Sequence, residues 1–283
     1  MSLAVDHVHH FDLGSWLVVF AYITSVVGST VGLACTALAG TARTEALRVG
    51  WLAAAALSIG GVGIWLMHFI AMLGFTTPGL PVRFDVARTA ISALLAITAV
   101  FVGLLVFGAR RTYSLWRLLA GGVIMGVAVA LMHYTGMWAV NLKGTISYDP
   151  GLVALSVGIA VFAATAALWF TVATGRLSLR VLAGLVMGVA VTGMHYTGMA
   201  AVRVDLEPTA PAPAGVEVFT FLLPVFVVGA LALAGTITAV LMAVPGEPAG
   251  EDIPRRAETV PAEPKTASKE EVAASGEPLG SAG

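Results

Sequence analysis

Seven long apolar runs constrain the fold of this chain more than any other feature. They cover residues 16–38, 48–73, 86–107, 117–140, 152–174, 180–202 and 218–244. A helix of about 20 apolar residues crosses a hydrocarbon core about 30 Å thick, and in lipid the backbone must satisfy its own hydrogen bonds. Charged residues make up only 11% of the chain, against about 25% in soluble domains. We therefore predict an all-α integral membrane protein, a bundle of seven transmembrane helices.

The composition also predicts how the chain is divided. Residues 15–244 form the seven-helix membrane domain, and residues 1–14 precede it as a short extracytoplasmic segment that contains His7, His9 and His10. Residues 245–283 are rich in Pro, Glu, Ala, Ser, Gly and Lys, so we expect a disordered tail, too short and polar to be an output domain.

The single cysteine, Cys35, excludes an internal disulfide and a thiolate zinc site. No basic patch indicates a nucleic-acid partner.

The basic residues predict the orientation of the chain in the membrane. The segments after the first, third and fifth runs hold seven Lys and Arg residues, and those after the second, fourth and sixth hold four. The positive-inside rule then places the N-terminus outside and the C-terminus in the cytoplasm of a multi-pass protein of the bacterial plasma membrane.

One six-residue motif occurs three times, each time near the end of an even-numbered run. Residues 132–137 and 194–199 both read Met-His-Tyr-Thr-Gly-Met, and residues 67–72 read Met-His-Phe-Ile-Ala-Met. The histidines are 65 and 62 residues apart. This spacing predicts three repeated helix pairs plus a closing helix, with the three histidines at one depth, about 10–12 Å below the outer surface.

An aromatic-Asp pair opens each odd-numbered helix of the repeat. The pairs are Phe11-Asp12, Phe84-Asp85 and Tyr148-Asp149. Because Asp is a good N-cap, we predict that these carboxylates cap their helices. Orientation of a nearby imidazole by the carboxylate is the alternative.

The motifs carry the candidate ligands of a metal site. Each motif helix offers one imidazole flanked by thioethers, and such a donor set without carboxylates favours copper, Cu(I) especially. Packing is the competing interpretation, since Met fills apolar gaps and His can be a hydrogen-bonded core residue. An ionisable residue within a membrane, repeated three times, favours function. The candidate ligands are Met67, His68, Met72, Met132, His133, Met137, Met194, His195 and Met199.

The three motifs on alternate helices of a seven-helix chain resemble the MHYT domain of bacterial membrane proteins. The resemblance covers residues from about Phe11 to Val202, plus a closing helix. It implies a sensory module whose Met and His residues bind copper near the outer face and sense oxygen, carbon monoxide or nitric oxide. Family members are often fused to signalling domains. Here we expect a stand-alone form that acts on a separate cytoplasmic signalling protein.

Two other functions compete with sensing. Copper transport or handling would use the same ligands, although a pathway requires ligands at successive depths. Haem binding would use transmembrane histidines, although it usually needs facing pairs at two depths. We do not expect an enzyme, because the sequence offers no Ser-His-Asp set, phosphate loop or intramembrane acid-base pair.

Overall fold

The computed structural model describes residues 14–77, 80–108, 114–173 and 177–243. In this part of the chain, seven helices are long and apolar enough to cross a membrane, as the sequence predicts. The predicted N-terminal segment, apart from Gly14, and the predicted tail lie outside the described residues, so both stay predictions. The helices are α1 (Trp16–Thr41), α2 (Glu45–Ala56), α3 (Met67–Met72), α4 (Val86–Gly108), α5 (Leu115–Trp138), α6 (Pro150–Ala173), α7 (Leu177–Ala200) and α8 (Val218–Ala243).

The second membrane span is continuous and contains both α-helix and π-helix. Helices α2 and α3 are joined by a π-helical segment, Leu57–Leu66, so that the span runs over Glu45–Met72. It contains 28 residues, whereas the spans formed by α5 and α7 each contain 24. The first repeat therefore differs in backbone from the other two, in line with the looser motif that it carries.

The first six spans follow one another around a ring, and α8 lies outside it. Each span packs against its neighbours in sequence, and α7 packs against α1, which closes the ring. Small residues allow these close crossings. A Cβ at Gly28 of α1 would lie 2.5 Å from the backbone N of Gly63, and one at Gly126 of α5 would lie 2.4 Å from Cα of Val161.

Five short strands lie at the end of the bundle that carries the motifs, here called the motif end. The sequence did not predict them. They are β1 (Arg83–Phe84), β2 (Val140–Asn141), β3 (Gly144–Tyr148), β4 (Val202–Leu206) and β5 (Val216–Glu217). Strand β1 lies between β2 and β5, and β3 pairs with β4, all antiparallel.

The strands tie the start of one helix to the end of another in a repeated way. Phe84 pairs with Val140, and Tyr148 pairs with Val202. The next residue donates an equivalent bond in each case, from Asp85 N to the carbonyl oxygen of Ala139 at 2.9 Å and from Asp149 N to that of Ala201 at 2.8 Å. The aromatic-Asp pairs therefore fix where the motif helices stop.

The carboxylates of these pairs cap helices, as predicted. Asp85 Oδ1 accepts a hydrogen bond from Arg88 N at 2.9 Å, and Asp149 Oδ1 accepts from Gly151 N at 3.0 Å. The second oxygen of Asp149 accepts from Arg203 Nη2 at 2.8 Å. Asp12 lies outside the described residues.

Candidate metal centre

The three motif histidines meet at the centre of the bundle. Nδ1 of His68 lies 2.9 Å from Nδ1 of His195 and 3.2 Å from Nδ1 of His133. The ring centroids are 4.9 to 5.2 Å apart, and each pair of rings is edge to face. All three side chains are 0 to 1% exposed. The predicted common depth therefore corresponds to one shared centre.

The imidazoles lie closer to the ends of their helices than the sequence predicted. The motif helices end at Met72, Trp138 and Ala200, which is four or five residues after each histidine. At 1.5 Å per residue the imidazoles lie about 6–8 Å below the helix ends. The predicted runs extended further because Val140 and Val202 are apolar, but both residues are in strands.

Two of the imidazoles each pack against a glycine of the next motif, and we call this glycine the seat of the ring. A Cβ at Gly136 would lie 2.6 Å from Nε2 of His68, and one at Gly198 would lie 2.5 Å from Nε2 of His133. Both Nε2 atoms are buried without a hydrogen-bond partner. Each ring is therefore held with Nε2 against backbone and with Nδ1 facing the other histidines. The sequence does not reveal this pairing of His and Gly.

The motif methionines lie on both sides of the histidine layer. Those that precede a histidine belong to the main core cluster, with Met125 and Met187. Those that follow a histidine belong to a second cluster at the motif end, with Phe69, Phe75 and Phe84. The first group is Met67, Met132 and Met194, and the second is Met72, Met137 and Met199. All six are 0 to 3% exposed, so the imidazoles lie between two layers that contain thioethers.

Tyr134 hydrogen-bonds to a neighbouring helix, whereas Thr197 hydrogen-bonds to its own helix. The hydroxyl of Tyr134 and that of Ser156 on α6 are hydrogen-bonded at 2.7 Å. Thr197 Oγ1 donates to the carbonyl oxygen of Gly193 at 2.8 Å, back to its own helix. Phe69 takes the place of the tyrosine in the first copy and packs against Trp65 and Phe84.

A polar pocket of about 360 Å³ opens beside the second motif at the motif end. Its walls include Tyr134, Met137, Trp138 and Tyr148, and the guanidinium carbon of Arg88 lies 4.0 Å from the ring centroid of Trp138. Burial and the neighbouring Tyr134 raise the pKa of Tyr148 to about 12. Sequence reasoning did not single out Arg88, Trp138 or Ser156.

The described part of the chain contains one group of His, Cys, Asp or Glu side chains arranged to hold a metal ion: His68, His133 and His195. Each offers one ring nitrogen, and these atoms lie within 4.8 Å of one another. Nine motif residues were predicted as ligands, and the six methionines among them flank this cluster. Their role as ligands stays a prediction. His7, His9 and His10 lie outside the described residues.

A family profile described as "Bacterial signalling protein N terminal repeat", MHYT, matches residues 61–122, 126–184 and 188–246. Each match begins within a motif-bearing helix and continues into the following helix, so α8 falls in the third match. No solved structure matches the chain.

Several curated signalling proteins are similar to this chain over about two thirds of its length. MucR of Pseudomonas aeruginosa, a bifunctional diguanylate cyclase/cyclic di-GMP phosphodiesterase, is 41% identical over 197 residues, 67% of this chain and 28% of that protein. NbdA of the same organism, a cyclic di-GMP phosphodiesterase, is 34% identical over 69% of this chain and 25% of its own length. The signaling protein YkoW of Bacillus subtilis is 32% identical over 73% and 27%.

The chain thus spans about a quarter of the length of these relatives. The three matched repeats coincide with the three motifs and with the membrane helices that carry them. This chain belongs to the MHYT family, the membrane-embedded sensor domain of bacterial signalling proteins.

Proposed function

We propose that this protein is a membrane sensor that binds copper at His68, His133 and His195 and responds to oxygen, carbon monoxide or nitric oxide. The observation that carries the proposal is the convergence of three buried Nδ1 atoms, with two separations of 2.9 and 3.2 Å. Three nitrogens around one ion at metal–nitrogen distances of about 2.0 Å lie about 3.5 Å apart. The observed spacing therefore fits a shared ion after small ring movements.

The chemistry of the buried imidazoles supports a shared cation. Each neutral imidazole has one nitrogen that carries a proton and one that accepts. Nδ1 of His68 lies within hydrogen-bond distance of Nδ1 of both other histidines, but it carries either one proton or one lone pair and so makes one good hydrogen bond of this kind. One metal ion would use all three lone pairs at once.

The surroundings of the imidazoles favour copper over harder ions. Calcium and magnesium select carboxylate and carbonyl oxygens, whereas thioethers select Cu(I). Thioether-bearing residues lie immediately before and one turn after each histidine, and all are buried. Met67, Met72, Met132, Met137, Met194 and Met199 are therefore the proposed auxiliary ligands. Copper held here would supply a metal centre, soft as Cu(I) or open-shell as Cu(II), that binds diatomic molecules.

The orientation and partners complete the proposal. The motif end faces the outside of the bacterial cell and the C-terminus faces the cytoplasm, because the segments at the other end carry more Lys and Arg. Membrane lipid surrounds the helices, and nucleic acid is not a partner. Two relatives are named as cyclic di-GMP enzymes, and a third is named as a signaling protein. We propose that this chain, itself not an enzyme, signals through a separate cytoplasmic protein.

Metal analysis of purified protein tests the proposal. After growth with copper, the wild type is expected to retain about one copper ion per chain by mass spectrometry, and the His68/His133/His195→Ala triple variant none. The matched control is a His7/His9/His10→Ala variant, which removes three histidines outside the motifs and is expected to keep its copper. A copper-free wild type, or a triple variant that folds and keeps its copper, would overturn the proposal.

Copper transport is the second candidate, and one observation favours it. Met125, Met187 and Met194 line a single cavity on the side of the histidines away from the motif end, which is a second depth for soft donors. Copper uptake into vesicles that contain the wild type would support transport.

Haem is disfavoured, because imidazoles with centroids 4.9 to 5.2 Å apart leave no space between them for a macrocycle.

A further inference from the structure

A small apolar cavity lies directly beneath the histidine centre, on the side away from the motif end. Its volume is about 30 Å³. All three motif helices contribute to its wall at equivalent positions, with Ile64, Val129 and Val191 each four residues before a motif histidine. Residues four apart lie on the same helix face. The cavity therefore lies between the three motif helices and α6, about one turn, or about 6 Å, from the imidazoles.

The chemistry of the wall excludes water as a stable occupant. The lining consists of Ile, Val, Ala and Met side chains, whereas a buried water needs two to four polar partners. Apolar cavities stay dry and bind apolar molecules such as xenon. A space of about 30 Å³ has room for one molecule of a few atoms.

A metal ion is also a poor occupant of this cavity. Three thioethers line it: those of Met125 and Met187, eight residues before His133 and His195, and that of Met194. A Cβ on Gly103 of α4 would lie 3.0 Å from Sδ of Met125, so this sulfur contacts α4. The wall contains no imidazole and one of its three sulfurs packs against α4, so the cavity is a weaker metal site than the histidine layer.

We infer that this cavity binds one neutral diatomic gas molecule beneath the histidine centre. The four alanines of α6 that line it, Ala160, Ala163, Ala164 and Ala167, keep the space open because a larger side chain at any of them would enter it. Gas held there lies within about two helical turns of the imidazoles. The role of the cavity in sensing rests on the proposed function, whereas its occupancy by gas does not.

Xenon tests this inference without copper. Crystals of the metal-free protein are pressurised with xenon, and anomalous density is measured for the wild type and Ala164→Leu. We expect one xenon site in the cavity of the wild type and its loss in the variant. Ala154→Leu is the matched control, since Ala154 is exposed on the same helix, and it is expected to keep the site. Should Ala164→Leu not fold, Ala160→Val fills the same wall with a smaller change.

The outcomes separate this inference from the proposed function. A wild-type cavity without xenon, or a xenon site that Ala164→Leu retains, would overturn the inference. Copper density in the cavity would overturn it too and would support transport. Xenon in the cavity of a protein that never retains copper would sustain the inference while the proposed function fails. For the copper form, carbon monoxide rebinding after photolysis is expected to lose its fastest phase in Ala164→Leu.

Discussion

Nδ1 of His68 lies 2.9 Å from Nδ1 of His195, although 127 residues separate the two histidines in the chain. The contact joins the first and third motifs across the axis of the bundle, and His133 completes the group 3.2 Å from His68. Because all three rings are buried, their positions depend on the residues that pack behind them. The glycine seats at Gly136 and Gly198 are the clearest of these supports.

Adding a methyl group at Gly198 is expected to displace the imidazole of His133. The new Cβ of Gly198→Ala would lie 2.5 Å from Nε2 of that ring, so the ring must leave its present position. Disturbing the support of a metal ligand typically costs 10–100-fold in affinity. We expect copper affinity to fall at least about tenfold, measured by competition with a copper chelator.

The control for this change lies on the same helix. Nothing lies within 4 Å of a Cβ built at Gly193, and Ala is favoured over Gly in a helix by up to about 1 kcal/mol. Gly193→Ala is therefore expected to leave copper affinity unchanged and stability equal or higher. Equal copper affinity of Gly198→Ala and Gly193→Ala would show that the seat does not position the ring.

The pairing of His68 with Gly136 predicts a coupling that requires no metal. Gly136→Ala places a Cβ 2.6 Å from Nε2 of His68, and His68→Asn removes that atom while keeping an amide near the position of Nδ1. The loss of thermal stability caused by Gly136→Ala is therefore expected to be smaller in the His68→Asn background. Residues in contact typically couple by about 0.5–3 kcal/mol. Additive changes in a double-mutant cycle would contradict the contact.

The hydroxyl of Tyr134 is expected to contribute modestly to stability. It is hydrogen-bonded to Ser156 at 2.7 Å, and Ser156 also donates to the carbonyl oxygen of Val153. Hydrogen bonds between membrane helices average about 0.6 kcal/mol. Tyr134→Phe should cost about this much in unfolding experiments and leave copper stoichiometry intact, since Phe69 occupies the equivalent position of the first motif. Loss of copper in Tyr134→Phe would assign the hydroxyl to the site.

The proposed orientation can be measured with single cysteines. Cys35 is the one native cysteine and is buried, so Cys35→Ala provides a clean background. Thr145 in β3 at the motif end and Arg43 between α1 and α2 at the other end are both exposed. An impermeant maleimide is expected to label Thr145→Cys in intact cells and Arg43→Cys only after lysis. The reverse pattern would invert the topology.

The phenol of Tyr148 is expected to titrate late. Its pKa is raised to about 12 by burial and by Tyr134, against about 10 in an unfolded chain. Since the folded state holds this proton more tightly, the stability it contributes is present below pH 10 and lost as the pH rises towards 12. Phenolate absorbance should show a late component that Tyr148→Phe reduces. A late component of the same size in Tyr148→Phe would contradict this burial.

The sequence by itself determined the membrane architecture and the repeat. Apolar runs long enough to cross a bilayer have few alternatives to helices, because lipid offers no hydrogen-bond partners to the backbone. The three motifs and their similar distances from the helix ends placed His68, His133 and His195 at one depth, and the N-caps at Asp85 and Asp149 follow from local chemistry. The family follows from the same motifs.

Only the tertiary structure decided which atoms meet. The convergence of three Nδ1 atoms depends on how the helices rotate and on the ring closure between α1 and α7, which no local pattern encodes. Contacts between residues distant in sequence include the pairing of two imidazoles with a glycine of another repeat, the strand pairs Phe84–Val140 and Tyr148–Val202, and the wall of the apolar cavity. Such contacts are set by packing between helices, whereas periodicity along one helix reports only which face is apolar.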